Sequence, residues 1–164
     1  MDKSTYNFED FISTLNPESK DFVIKINDIL QKESYKIKIE DKVSGLFVSY
    51  SHPKTKRSIL NFQNRKKGLL VRIYADYYHK YTDFLNRIPE NMEKEIAKSP
   101  VCKRLVNPND CNTKCIRGYD FFIRGNNYKK CRYCCFQFAV NQESIPVLVE
   151  FLENEVTERK KPAQ

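Results

Sequence analysis

The sequence lacks apolar stretches long enough to cross a membrane. Its uninterrupted apolar runs, such as residues 69–71, are only a few residues long, whereas a membrane-spanning helix needs about 20 apolar residues. Residues 1–6 contain no apolar core of a secretion signal, which favours a cytoplasmic location. The 164 residues are 40% hydrophobic and 30% charged, a composition typical of one folded globular domain. We therefore expect neither a secreted disulfide scaffold nor a membrane protein, and no membrane partner.

Sequence motifs of familiar enzymes are also missing. The chain has only four glycines and contains no glycine-rich phosphate loop, HExxH motif or GxSxG motif. Its two histidines, His52 and His79, have no recognisable acid or nucleophile beside them, although either has the chemistry of a general base. We therefore expect a non-catalytic protein, with a nucleophilic or redox-active cysteine as the remaining enzymatic alternative.

Hydrophobic periodicity predicts an α+β fold, with N-terminal helices packed on a mostly antiparallel sheet, a cysteine-rich hairpin and a C-terminal helix. Asn7 and Asn16 are predicted helix N-caps. We expect a single domain over residues 1–164, in which residues 102–135 form a cysteine-rich, zinc-binding insert. The predicted helices cover residues 8–15, 17–33, 76–87, 89–98 and the segment after residue 144, and the predicted strands cover residues 35–40, 46–51, 58–64, 69–75, 119–123 and 132–140.

All six cysteines lie within residues 102–135. A reducing compartment disfavours disulfides, and Cys111-x3-Cys115 with Cys131-x2-Cys134 approaches the paired spacing of structural zinc sites. A strand over residues 132–140 would place Cys134 on the core face with Phe136, and Cys135 on the opposite face. The preferred zinc ligands are therefore Cys102, Cys111, Cys115 and Cys131, with Cys134 or Cys135 as alternates. Buried free cysteines, a redox pair or disulfide, and an iron–sulfur cluster are the other hypotheses.

Four thiolate ligands would leave no open coordination position, so such a zinc ion would be structural and would not activate water. The four thiolates would also carry more negative charge than the ion neutralises. We expect nearby cations to balance part of that charge, namely Lys103, Arg104, Lys114, Arg117, Lys129, Lys130 and Arg132.

The positive charge is concentrated in the middle of the chain. The formal net charge is +8, and residues 51–100 carry 11 basic but only 5 acidic side chains. Such a field attracts polyanions, so we expect a contact surface for nucleic acid or another polyanion. An acidic protein partner and a merely solvated basic face are the alternatives. No acid interrupts the predicted polyanion-binding residues, which are Lys54, Lys56, Arg57, Arg65, Lys66, Lys67 and Arg72.

Three features of the N-terminal part occur together, namely the helical pattern of residues 8–30, Lys-Val-Ser-Gly at 42–45 and the hairpin segment at 65–74. In these features, the N-terminal 75 to 100 residues resemble small bacterial proteins of the YdhG-like class. It implies a helix–sheet fold related in outline to frataxin, and most members of the class have no assigned function. Some members are linked to iron handling through an acidic surface, whereas this chain is basic there. The cysteine-rich segment looks like a module added to that class.

Overall fold

The computed structural model describes residues 5–112 and 114–162. They divide into two compact units. The sheet unit comprises the residues up to Ile73 together with Ala139–Val149, and the cysteine unit comprises Tyr74–Phe138 together with the residues from Glu150 onward. The unit that holds the cysteines is thus larger than the insert expected at residues 102–135. A single domain over residues 1–164 stays a prediction.

The described residues form six α-helices, seven strands and one short 3-10 helix, Tyr78–Lys80. This arrangement confirms the predicted α+β class, with a mostly antiparallel five-stranded sheet and a C-terminal helix. The helices are α1 (Phe8–Ile12), α2 (Pro17–Lys32), α3 (Thr82–Leu85), α4 (Glu90–Lys98), α5 (Lys103–Val106) and α6 (Ile145–Lys160). The strands are β1 (Lys36–Lys42), β2 (Gly45–Ser51), β3 (Ser58–Arg65), β4 (Gly68–Ile73), β5 (Tyr119–Ile123), β6 (Asn126–Lys130) and β7 (Gln137–Ala139).

Side-chain caps begin both N-terminal helices, as predicted. Asn7 accepts a hydrogen bond from the backbone N–H of Asp10 at 2.9 Å, and the Asp10 carboxylate accepts one from the backbone N–H of Asn7 at 2.8 Å. Asn16 accepts a hydrogen bond from a backbone N–H three residues later, and Pro17 occupies the first helical position, where no N–H is needed. No helix among the described residues is both long and apolar enough to cross a membrane.

The five-stranded sheet has the order β1-β2-β3-β4-β7, and β1 to β4 pair antiparallel with their neighbours. One face carries the buried side chains of Val48, Tyr50, Phe62 and Val71. The Phe62 ring lies 6.1 Å from the rings of two helical phenylalanines, so this face packs against α1 and α2. The hydrophobic effect of burying these aromatic residues is the main force that holds the sheet unit together.

The opposite face of the same sheet carries one row of polar side chains. The register places Lys38 opposite Ser49, Ser49 opposite Asn61, and Asn61 opposite Arg72. Cross-strand partners lie on the same face, so these four polar residues form one row across four strands. Arg72 is therefore a member of a sheet face and not of a hairpin tip.

In the cysteine unit, β5 pairs with β6 through a two-residue turn formed by Arg124 and Gly125. Both residues have positive φ, 46° and 85°, which matches the turn preferred by two-residue hairpins. The Arg124 guanidinium lies 2.5 Å from Glu93 on α4 and anchors this turn. Burial raises the pKa of Glu93, but hydrogen bonds from Arg124, Tyr128 and Asn126 outweigh it and hold that pKa below its usual value.

Two of the predicted elements are wrong. The predicted strand 132–140 begins only at Gln137, because the chain after Cys131 makes a helical turn in which Cys131 accepts the backbone N–H groups of Cys134 and Cys135. The strand that pairs with β5 is β6, which the sequence pattern did not predict, since the turn at residues 124–125 brings the chain back directly after β5. The predicted helix 76–87 is a 3-10 turn followed by α3.

We predict that Phe62→Ala lowers the free energy of unfolding by about 3–5 kcal/mol, since this fully buried ring leaves a cavity among other aromatic rings. Val43→Ala, which truncates a fully exposed side chain, should change that free energy by less than about 0.5 kcal/mol. Urea unfolding followed by circular dichroism measures both. Similar losses in the two variants would contradict this account of the core.

Candidate metal centre and basic surface

Four of the six cysteines line one cavity of about 290 Å³ in the cysteine unit. They are Cys102, Cys111, Cys115 and Cys131. They come from three separate segments, namely the start of α5, the loop after it and the residue that follows β6. This is the set of thiols that the sequence analysis preferred as zinc ligands.

Backbone pairing brings Cys102 beside Cys131. The backbone N–H of Cys102 donates to the carbonyl of Lys129 at 3.0 Å, and that of Cys131 donates to the carbonyl of Pro100 at 2.8 Å. The N–H of Gly118 donates to the Cys102 sulfur at 3.3 Å. A side chain at Gly118 would have its Cβ 2.6 Å from the Cβ of Cys102, so only glycine permits this approach. Two cavity thiols are therefore held by strand-like hydrogen bonds.

The other two thiols lie on the loop that follows α5. Cys111 is exposed and has φ 68°, in the left-handed region. The backbone N–H of Cys115 donates to the carbonyl of Asn112 at 3.1 Å, and Arg104 donates a hydrogen bond to the carbonyl of Cys115. This loop thus turns its two cysteines toward the same cavity.

The electrostatics show that these thiols lie near one another. Burial raises the pKa of the Cys115 thiol, and the neighbouring Cys111, Cys102 and Cys131 raise it further, while Arg104 lowers it. These three neighbours therefore disfavour ionisation of Cys115. A bound divalent cation reverses this effect, because it favours the deprotonated ligands.

The thiols are not arranged as a finished coordination shell. Within residues 5–112 and 114–162, no group of three or more His, Cys, Asp or Glu side chains is positioned to hold a metal ion. A tetrahedral zinc site has Zn–S distances of about 2.3 Å, so binding requires the thiols to move closer together. In the part of the cavity wall after α5, Cys111 and Asn112 are exposed and Cys115 is half-buried, so little packing holds these two thiols in place.

The two alternate cysteines do not line this cavity. Cys135 is fully buried, and burial raises the pKa of its thiol well above the usual value. Cys134 is only partly buried. The expectation that Cys134 shares the core face with Phe136 is therefore wrong: the helical turn buries Cys135 and Phe136 consecutively, which the period of a strand does not allow.

Two cations expected to balance the thiolates have other partners. Lys130 is 9% exposed, and its ammonium donates to the carbonyls of Ala97 and Ser99 at 2.9 and 2.8 Å. Arg132 is also buried, and its guanidinium lies 2.6 Å from Asp76. Both residues flank Cys131 and join it to the interior of the cysteine unit.

Arg132 belongs to a buried network that the sequence analysis missed. Asp76 also pairs with Arg159 at 3.2 Å, and Arg159 pairs with Glu155 at 2.6 Å. The Arg132 guanidinium lies 5.2 Å from the Tyr74 ring centroid, within cation–π range. No local spacing links Asp76 to Arg132, because the two positions are far apart in the chain.

The predicted polyanion-binding residues are not all brought together. Lys66 and Lys67 form the exposed two-residue turn between β3 and β4, beside Arg65, which donates to Gln63 at 2.7 Å. We call these three cations the basic tip. The other cluster, Lys54, Lys56 and Arg57, precedes β3 at its opposite end, about 23 Å away along the strand. Arg72 lies between the two clusters in the polar row.

A further lysine joins the second cluster. The side chain of Lys36, at the start of β1, lies near Lys56, and the proximity of this second ammonium group lowers the pKa of Lys56. Lys36 was not predicted for this cluster because it lies 20 positions from Lys56 in the chain. In the same loop, Nδ1 of His52 accepts the backbone N–H groups of Lys54 and Thr55 at 3.2 Å, a structural role.

Comparison of the chain with protein-family models, curated proteins and solved structures finds no match. The resemblance of the N-terminal part to YdhG-like proteins stays a prediction. The structural observations on the thiol cavity and the basic tip are therefore the basis for a functional assignment.

We predict that Arg132→Met lowers the free energy of unfolding by about 3–5 kcal/mol, since it removes one partner of a buried ion pair. The matched control is Arg87→Met, which breaks the exposed pair with Glu150 and should cost at most about 1 kcal/mol. Thermal and urea unfolding of both variants provides the comparison. If the two substitutions cost the same, the buried network does not stabilise the cysteine unit.

Proposed function

We propose that this chain is a non-catalytic cytoplasmic binding protein with two parts. In the cysteine unit, a structural zinc ion is held by Cys102, Cys111, Cys115 and Cys131. In the sheet unit, the basic tip contacts a polyanion such as nucleic acid. The observation that carries the first part is the shared cavity of four thiols, and the one that carries the second is the exposed run of three cations.

The zinc proposal is supported by the chemistry of the donor set. Thiolates are preferred ligands of Zn²⁺, and four of them complete a tetrahedron with no position left for water. Cys102 and Cys131 are fixed by backbone hydrogen bonds, so they form the preorganised half of the site. Cys111 and Cys115, on the loop after α5, would supply the other two thiolate ligands. Such an ion would tie three chain segments together and stabilise the folded state.

We predict that natively purified protein contains about one zinc ion per chain, with four thiols protected from alkylation until a chelator removes the metal. Cys111→Ser, at an exposed cavity position, should lower the zinc content severalfold. Cys134→Ser is the matched control, outside the cavity, and should retain the metal. Elemental analysis and thiol counting measure both.

Two results would contradict the zinc proposal. One is the absence of metal together with six freely reactive thiols. The other is an equal loss of zinc in Cys134→Ser and Cys111→Ser, which would mean that the cavity does not define the ligand set.

The polyanion proposal is supported by the charge and shape of the basic tip. Lys66 and Lys67 occupy a turn that projects from the sheet, and both are exposed. Lysine and arginine contacts to phosphates give affinity without sequence specificity. Such contacts release counterions, so binding falls steeply with salt. On the adjoining sheet face, the half-buried Arg72 adds one more cation beside the buried Asn61.

We predict that the double variant Lys66→Glu/Lys67→Glu binds a fluorescent DNA oligonucleotide at least tenfold more weakly, whatever its sequence. Its slope of log affinity against log salt should be smaller by about 2, one for each lost phosphate contact. Lys94→Glu/Lys98→Glu, on exposed positions of α4, makes the same change of net charge and is the control. Fluorescence anisotropy between 50 and 200 mM salt measures both, the range over which such contacts are most salt-sensitive.

If Lys94→Glu/Lys98→Glu lost as much DNA affinity as Lys66→Glu/Lys67→Glu, net charge alone would attract the DNA. That result would contradict a role for the basic tip. Negligible binding of the unmodified protein at low salt would overturn the nucleic-acid proposal, and the acidic protein partner would then be the leading alternative.

A further inference from the structure

A second cavity, of about 620 Å³, lies in the sheet unit beneath the basic tip. Its volume falls in the range of about 300–1,000 Å³ that is typical of small-molecule sites. The turns β1–β2 and β3–β4 lie at the same end of the sheet, because Phe47 of β2 pairs with Gln63 of β3. The backbone N–H of Val140 donates to the carbonyl of Leu69 at 3.0 Å. This hydrogen bond holds Val140 beside β4, where both residues line the cavity.

The lining of this cavity has two chemically different parts. Its apolar part is formed by Val43 on the β1–β2 turn, by Leu69 and Leu70 on β4, and by Ala139 and Val140. Its charged part is the basic tip, with its two lysines exposed at the edge. No acidic and no aromatic side chain occurs among the described residues that line it.

This combination selects one kind of occupant. An anionic head group is attracted by three cations that no lining carboxylate neutralises. A hydrocarbon chain gains from burial against Val43, Leu70 and Val140. A nucleobase fits less well, because the cavity offers no ring to stack on and few groups to read a base edge.

We propose that this cavity binds a single-chain amphiphilic anion, with its carboxylate at Lys66 and Lys67 and its hydrocarbon chain on the apolar wall. A fatty acid is the simplest member of this class. The fully exposed Val43 side chain is then explained, because it forms the outer wall that an acyl chain would cover. The inference shares the basic tip with the polyanion proposal but does not depend on it.

The test uses dodecanoate below its micelle concentration as the probe, measured by isothermal titration calorimetry on the full chain. Shortening the chain from twelve to ten carbons should weaken binding by about tenfold, since each buried methylene contributes about three- to fourfold. Dodecanol, which has the same chain but no charge, should bind at least tenfold more weakly. Equal binding of all three compounds would overturn the inference.

Two variants locate the site. Val43→Asp, at a fully exposed position that folding does not require, should weaken dodecanoate binding at least tenfold. Val106→Asp, at an exposed valine of the cysteine unit, is the matched control and should bind as the unmodified protein does. Circular dichroism of both variants confirms that they are folded. Unchanged binding by Val43→Asp would overturn the assignment to this cavity.

Two further outcomes distinguish this inference from the polyanion proposal and from binding to a membrane surface. If DNA binds with the expected salt dependence while dodecanoate does not bind, the lipid inference fails and the polyanion proposal stands. If vesicles that contain anionic phospholipid sediment the protein while monomeric dodecanoate does not bind, the basic tip recognises a membrane surface, and the single-chain inference is overturned.

Discussion

Antiparallel backbone pairing is the constraint on which both candidate sites depend. In the sheet unit, the register of β3 with β4 places Lys66 and Lys67 on a two-residue turn, and the register of β2 with β3 brings the preceding turn to the same end of the sheet. In the cysteine unit, the isolated bridge between Val101 and Lys130 sets Cys102 beside Cys131. A shift of one residue in any of these registers would turn the functional side chains to the other face.

The protein uses charge in two contrasting ways. In the cysteine unit, Asp76 is paired with two arginines away from water, where removal of one partner leaves a costly uncompensated charge. At the tip of the sheet unit, lysines lie in solvent, where a single ion pair contributes little to stability. The first arrangement stabilises the fold, whereas the second leaves the cations accessible to an anionic ligand. Neither arrangement is distinguishable from the total charge of the chain.

Periodicity and capping residues were sufficient to predict the N-terminal helices, strands β1 to β4 and the α+β class, because each of these depends on local pattern and nearby caps. The predicted bounds of β5 were correct, but the segment after Ile123 was harder: β6 follows the turn of Arg124 and Gly125 directly, and a helical turn replaced the start of the expected strand 132–140. Spacing pointed to Cys111, Cys115 and Cys131, whereas the preference for Cys102 over Cys134 depended on a strand that the structure replaces with a helical turn. The partners Asp76 and Lys36 were not, because long-range contacts between single charged residues leave no periodic signal in a sequence.

The zinc proposal assigns four thiolate ligands to a structural zinc ion in the cavity of the cysteine unit. Zinc K-edge X-ray absorption of the natively purified protein tests it most directly, since the method reports the number and kind of ligand atoms. We expect four sulfur neighbours at about 2.3 Å and no nitrogen or oxygen neighbour. A spectrum with nitrogen or oxygen in the first coordination shell would contradict the claim, as would protein that contains no zinc.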